Sequence, residues 1–208
     1  MASKKKTTEE QLVKAHADAA RRAAEAHEQL DQARAAEAKI EARLVEVEAG
    51  DRPELIEQLI RARGAVAAME AVVGQLDRRA ADAEIAVAAW RHQEAIAAAN
   101  AQLTKARELG HVALAALDER RAFMNKRHPE GEALHAAGDR AGLAALSEKL
   151  AVAVTVAQEK AGAARGEADH LRRIADRALA ELNAVREGHG LAPVDHRQAA
   201  RAPEAVEA

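Results

Sequence analysis

Among Glu-x-x-His spacings, Glu132 with His135 and Glu167 with His170 are the residues here read as most able to do chemistry. Positions three apart share a helix face, so each pair could offer a carboxylate and an imidazole to one metal ion. Carboxylate-bridged di-metal bundles use two such pairs, plus a Glu from each of two further helices. The chain argues against convergence. Gly138 marks a corner three residues after His135, whereas His170 lies some thirty residues beyond that corner. Antiparallel packing would leave the two pairs about 40 Å apart at 1.5 Å per residue. Both pairs read as surface residues, and no metal or other cofactor is expected. The other histidines (His16, His27, His92, His111, His128, His189 and His196) are scattered. They form no His-Glu-x-x-His and no triad with metal spacing. His16 falls on a helical seam and reads as a bundle-edge histidine.

Cations gather in two places. Lys4, Lys5 and Lys6 form a basic arm, and Arg120, Arg121, Lys126 and Arg127 surround Phe123 and Met124. Such a set could grip phosphates. The helical pairing derived below puts the arm beside the middle of the second helix, away from that tip. One Trp, one Phe and no Tyr leave no stacking platform for single strands. Residues 120–127 are therefore read as an interaction tip, with Phe123 and Met124 closing a helical hairpin. Gly162 and Gly166 have the spacing of a membrane dimer motif, but Arg165 and Glu167 rule out that setting. No serine has a partner for nucleophilic catalysis, and the absence of Cys excludes disulfides and thiol chemistry. An enzyme is not expected, nor is a small-molecule substrate.

The elements that must position these residues are helices. More than a quarter of the 208 residues are Ala, and 31% are charged. Ala has no side-chain entropy to lose in a helix. With so few aromatics a thick globular core is not expected. The combination is that of long helices or coiled coils. The net charge of -3 lacks the basic excess of a dedicated nucleic-acid binder. Acidic and polar residues follow Lys6 where a secretory signal needs an apolar core. No apolar run approaches the roughly 20 residues of a membrane span. A cytoplasmic protein is expected, or a virion-associated one if phage-encoded, with no membrane partner.

Chain breakers are few. Gly50-Asp51-Arg52-Pro53 supplies a C-terminal Gly, a capping Asp and a first-turn Pro. Gly138-Asp139-Arg140 repeats that device, and His128-Pro129 forces an extended residue. The expected helices run over 7–49, 53–127 and 139–187, with a short turn over 130–137. Residues 1–6 form a disordered arm and 188–208 a disordered tail.

Heptad spacing supports each helix. Leu12, Ala19, Ala26, Ala33, Ile40 and Val47 recur every seven residues, with Ala23, Leu30 and Leu44 on a companion seam. Leu59, Val66, Val73 and Val87 run along the second helix to Trp90, with Ala62, Met69, Leu76 and Ala83 between them. Leu143, Leu150, Ala157, Ala164, Leu171, Ala178 and Val185 keep step in the third. Past Trp90 the seam restarts a residue early, at Ile96, and continues through Ala99, Leu103, Ala106, Gly110 and Leu117. That turns the apolar stripe by about 100°. One helix with two stripes wants two partners. A corner at 50–52 pairs positions that sum to about 102, so Val47 faces Leu55 and Leu12 faces Trp90. The fold class expected is an all-α, elongated, antiparallel coiled-coil-like bundle of three long helices. The alternative is a four-helix bundle broken near Gly110. The function expected is structural: a scaffold, spacer or assembly factor, with phage assembly as one setting. It would bind a protein partner or itself through helical faces. A nucleic-acid accessory role using Lys4–Lys6 and the 120–127 tip is the alternative, although nucleic acid is not the expected partner.

Overall fold

The computed structural model describes residues 8–47 and 52–199. The Lys4–Lys6 arm, the Gly50-Asp51 corner and the chain after Ala199 lie outside the described residues. Five helices follow in order: α1 (Glu9–Glu46), α2 (Arg52–Met124), α3 (Pro129–Ala137), α4 (Arg140–Gly188) and α5 (His196–Ala199). No strand occurs among the described residues. The fold is all-α, with α1, α2 and α4 as its long packing helices.

Local chemistry sets the ends. At α1, Thr8 and Gln11 form a capping box, in which the Thr8 hydroxyl accepts the Gln11 N–H and the Gln11 amide oxygen accepts the Thr8 N–H. Helix α2 stops at Met124, three residues short of the expected 127. Lys126 turns the chain with φ 55°, and His128 is extended before Pro129. The His128 imidazole then caps α3 by accepting the Gly131 N–H. Gly138 closes α3 in the left-handed region at φ 68°, where Gly lacks the Cβ that would clash. Asp139 Oδ1 accepts the Gly142 N–H at 2.9 Å and caps α4, as the corner sequence implies.

The expected alternative of a break at Gly110 does not hold, because α2 runs unbroken through it for 73 residues. A lone Gly costs a helix about 1 kcal/mol relative to Ala. Ala106 and Ala113 flank it, buried at 2% and 8% exposure, and packing of that kind outweighs the cost.

The described chain forms two compact units. The first joins residues up to Arg91 with those from Glu181 onward. Its centre is a cluster of Leu30, Val66 and Val73, flanked by Ala26, Ala33 and Met69. Five ion pairs link α1 to α2: Glu9–Arg91, His27–Asp77, Arg34–Glu70, Glu37–Arg63 and Glu41–Arg63. Their residue numbers add to 100 or 104, which brackets the expected 102 and fixes the antiparallel register. His27, Arg34 and Glu41 recur every seven residues, and so do Asp77, Glu70 and Arg63, so these pairs form one column beside the seam. Glu70 bonds Arg34 and holds its guanidinium above its ordinary pKa. Glu41, then Glu37, do the same for Arg63.

Part of the stretch expected as tail, residues 188–199, is described, and the chain beyond Ala199 lies outside the described residues. Residues 188–199 turn back at Gly190 (φ 72°) and carry α5. Side chains of α4 bond the backbone of this stretch, Asn183 to Val194 and Arg186 to Ala192.

The second unit spans His92–Ala180. Here α2 buries Ala99, Ala106 and Ala113, seven residues apart, with Ile96 and Leu117 partly covered. Continuing the register of Val73 and Val87 would turn positions 94, 101, 108 and 115 inward, and all four are exposed. The phase change expected after Trp90 is therefore present. Leu103 is a local correction: it lies at the edge of the stripe, 37% exposed. Helix α4 runs antiparallel to this part of α2, with Gln102 bonded to Glu167 and Leu109 beside Lys160. It covers Leu150, Ala157, Ala164, Leu171 and Ala178, and also a second column of Val154, Ala161, Ala168 and Ala175.

Candidate interaction tip and helix faces

The 120–127 tip separates into a structural part and an exposed part. Phe123 is half-buried, edge-on to His128 with ring centroids 6.3 Å apart. A Cβ on Gly131 would lie 3.1 Å from Phe123 Cδ2, so Gly131 makes room for that ring. Phe123 packs α2 against α3. Met124 is 69% exposed. Arg120, Arg121, Lys126 and Arg127 are also exposed, with Arg121 bonded to Asp118 at 3.4 Å. Four carboxylates (Asp118, Glu119, Glu130 and Glu132) match the four cations between 118 and 132. The local charge is balanced, and a balanced patch releases few counterions on meeting a phosphate backbone.

The metal-type spacings do not come together. Glu132 and His135 are exposed on α3, and Glu167 accepts a hydrogen bond from Gln102. Among the described residues no three His, Asp or Glu side chains are grouped to hold a metal ion.

The expected seam residues divide by depth. Leu59, Val66, Val73, Val87 and Leu150 are buried. Leu12, Ile40, Val47, Trp90, Leu143 and Leu171 are partly covered, as is His16. Sequence reasoning missed the histidine pairs. His27 Nε2 lies 3.0 Å from Asp77, and His189 Nε2 lies 2.9 Å from Glu84. The register near 102 could have found the first, since it puts His27 within one turn of Asp77. The second depends on where the chain goes after α4, which no spacing announces. His92 is wholly buried.

The outer faces carry aliphatic side chains. On α1 and α2 of the first unit these are Val45 (82% exposed), Ile60 (65%), Val72 and Ile56. In the second unit they are Leu114 (59%), Val112, Val152 and Val156. Helix α4 also contains an 18-residue window with mean hydropathy 1.2 and at most two charged residues, apolar enough by composition to cross a membrane. The sequence expectation of no such run is corrected to that extent. Beside α2 and α4, Lys105, Leu109, Lys160 and Ala164 line a shallow open groove. No family model, curated protein or solved structure matches the chain.

Proposed function

We propose that the protein is a non-enzymatic structural or interaction protein, a scaffold, spacer or assembly factor working through coiled-coil-like helix faces. One observation carries this reading. Seven-residue seams pack α1, α2 and α4 through small side chains, while Val45, Ile60, Leu114 and Val152 stay more than half exposed on the outer faces. Singly exposed aliphatics are ordinary on a protein surface. Ile56 and Ile60 on α2, and Val152 and Val156 on α4, lie one turn apart and give those helices a further side able to meet another helix. Protein partners and self-association both follow from that chemistry.

The test is sedimentation over a wide concentration range, comparing the natural chain with Ile60→Glu and Leu114→Glu. Both positions are exposed, so the substitutions should leave the thermal midpoint within a few degrees. The reading expects an associated species in the natural chain that one or both substitutions weaken at least tenfold. A natural chain that stays monomeric throughout, with variants indistinguishable from it, would count against self-association through these faces.

A further inference from the structure

Helix α2 carries a second seam beside the one that meets α1. Ile60, Gly64, Ala67, Ala71, Gly74, Arg78, Ala81, Ile85 and Ala88 alternate spacings of four and three, and all but Arg78 are aliphatic or Gly. Helix α1 packs elsewhere, on the line of Val66, Met69 and Val73.

The second seam changes character where α4 ends. Ala81, Ile85 and Ala88 are partly covered. His189, the residue after α4, bonds Glu84 and so places the end of α4 beside that stretch. The chain then turns back at Gly190, and Asn183 and Arg186 hold it to α4. Before Ala81 the seam lies open. Ile60 is 65% exposed and Ile56, one turn away, 46%. Gly64, Ala67, Ala71 and Arg78 are exposed as well. An apolar line covered at one end thus continues bare over residues 56–78.

The bare stretch is complementary to itself in size and in charge. With two copies antiparallel about a two-fold axis at Ala67, positions adding to about 134 meet. Ile60, the bulky residue of the line, falls on Gly74 of the second copy, where a Cβ would meet nothing of its own chain within 4 Å. Gly64 falls beside Ala71, and Ala67 on its own equivalent. The large side chain therefore faces the small one, and the helices can approach closely. Ile56 lies along the aliphatic stem of Arg78. Arg78 donates to the Gly74 carbonyl of its own helix and has no carboxylate partner among the described residues. The same register brings it to Glu57 of the second copy, an exposed carboxylate whose partner within the chain is Arg61.

We infer that residues 56–78 of α2 form a self-pairing face, on which two copies of the chain dock antiparallel. This pairing rests on the reading that the protein works through its helix faces.

The chain contains no Cys, so single thiols can report the pairing. Ala67→Cys sits on the two-fold axis, within disulfide reach of its own equivalent. Ala68→Cys is the control: it is also exposed but lies on the flank beside Gln29 and Val72. Under mild oxidation Ala67→Cys should form a disulfide dimer at least tenfold faster than Ala68→Cys. In the Cys-free chain Arg78→Glu should weaken association about tenfold, and adding Glu57→Arg should restore it. All four positions are exposed, so each variant should keep its thermal midpoint within a few degrees. Equal crosslinking at 67 and 68 in a chain that still associates overturns this face and leaves association through another. Fast crosslinking at 67 without rescue by Glu57→Arg overturns the register and supports the face. A natural chain that is monomeric at every concentration overturns both the pairing and self-association in general, so the failures are told apart.

Discussion

Single atoms decide what a glycine is for in this chain. A Cβ on Gly162 or Gly166 would meet nothing within 4 Å. Neither residue permits a close helix contact, and each leaves α4 weaker than Ala would. Gly162→Ala and Gly166→Ala should each raise stability by about 0.5–1 kcal/mol, read as a shift in urea midpoint. Gly142 is different. A Cβ there would lie 2.8 Å from Leu134 Cδ2 and collide with the Asp139 carboxylate that caps α4. Moving that carboxylate gives up a cap worth about 1 kcal/mol, which cancels the helix-propensity gain of similar size. Gly142→Ala should therefore bring no increase in midpoint; a gain equal to that of Gly162→Ala would show the Asp139 cap to be dispensable.

At the scale of elements, alanine seams make helices sensitive to both deletion and addition of volume. Leu30 is the largest member of its layer at 4% exposure, and Leu30→Ala should cost about 2–5 kcal/mol by chemical denaturation. Ala175 is wholly buried, so Ala175→Leu should cost about 1–3 kcal/mol by overpacking. Helix α2 offers a sharper contrast at Gly110, where a Cβ would find only the Arg165 guanidinium at 3.7 Å, an ordinary contact. Gly110→Ala should be neutral or stabilising, whereas Gly110→Pro should cost about 3 kcal/mol or more by removing a helix bond. Equal effects of the two would point to a hinge at that position. The α1–α2 ion column answers to salt instead. Its arginines are held above their ordinary pKa by their carboxylate partners, so they stay charged at any pH where the protein folds. A double-mutant cycle on Arg63 and Glu41 should show a small favourable coupling in dilute buffer. That coupling should vanish in 1 M salt, where the screening length is about 3 Å.

For the molecule as a whole, charge sets the tendency to associate. The net charge of -3 and an isoelectric point near 6.3 leave little repulsion between copies close to neutrality. Light scattering should rise toward pH 6.3 and fall at pH 8 and above, as net negative charge grows. A flat profile would mean that helix faces do not meet under these conditions. The tip contributes no net charge, so raising salt should leave any residual binding to duplex DNA as weak as it was in dilute buffer.

Much of this was legible in the residues themselves. Ala, Glu, Leu and Arg at seven-residue spacing determine helices, because propensity and amphipathic period are local properties of the chain. The corner at Gly138-Asp139 was readable from its capping chemistry, and the α1–α2 register from the position of the first corner. The change of stripe past Trp90 was legible as a missing residue in the repeat. Tertiary structure alone decided that Gly110 carries no break, since the cost of one Gly is measured against packing that no local window contains. It alone turned Phe123 inward onto Gly131, and it alone folded residues 188–199 back through Asn183 and Glu84. Those outcomes rest on contacts between residues far apart in sequence, whose energies appear only once the helices lie side by side.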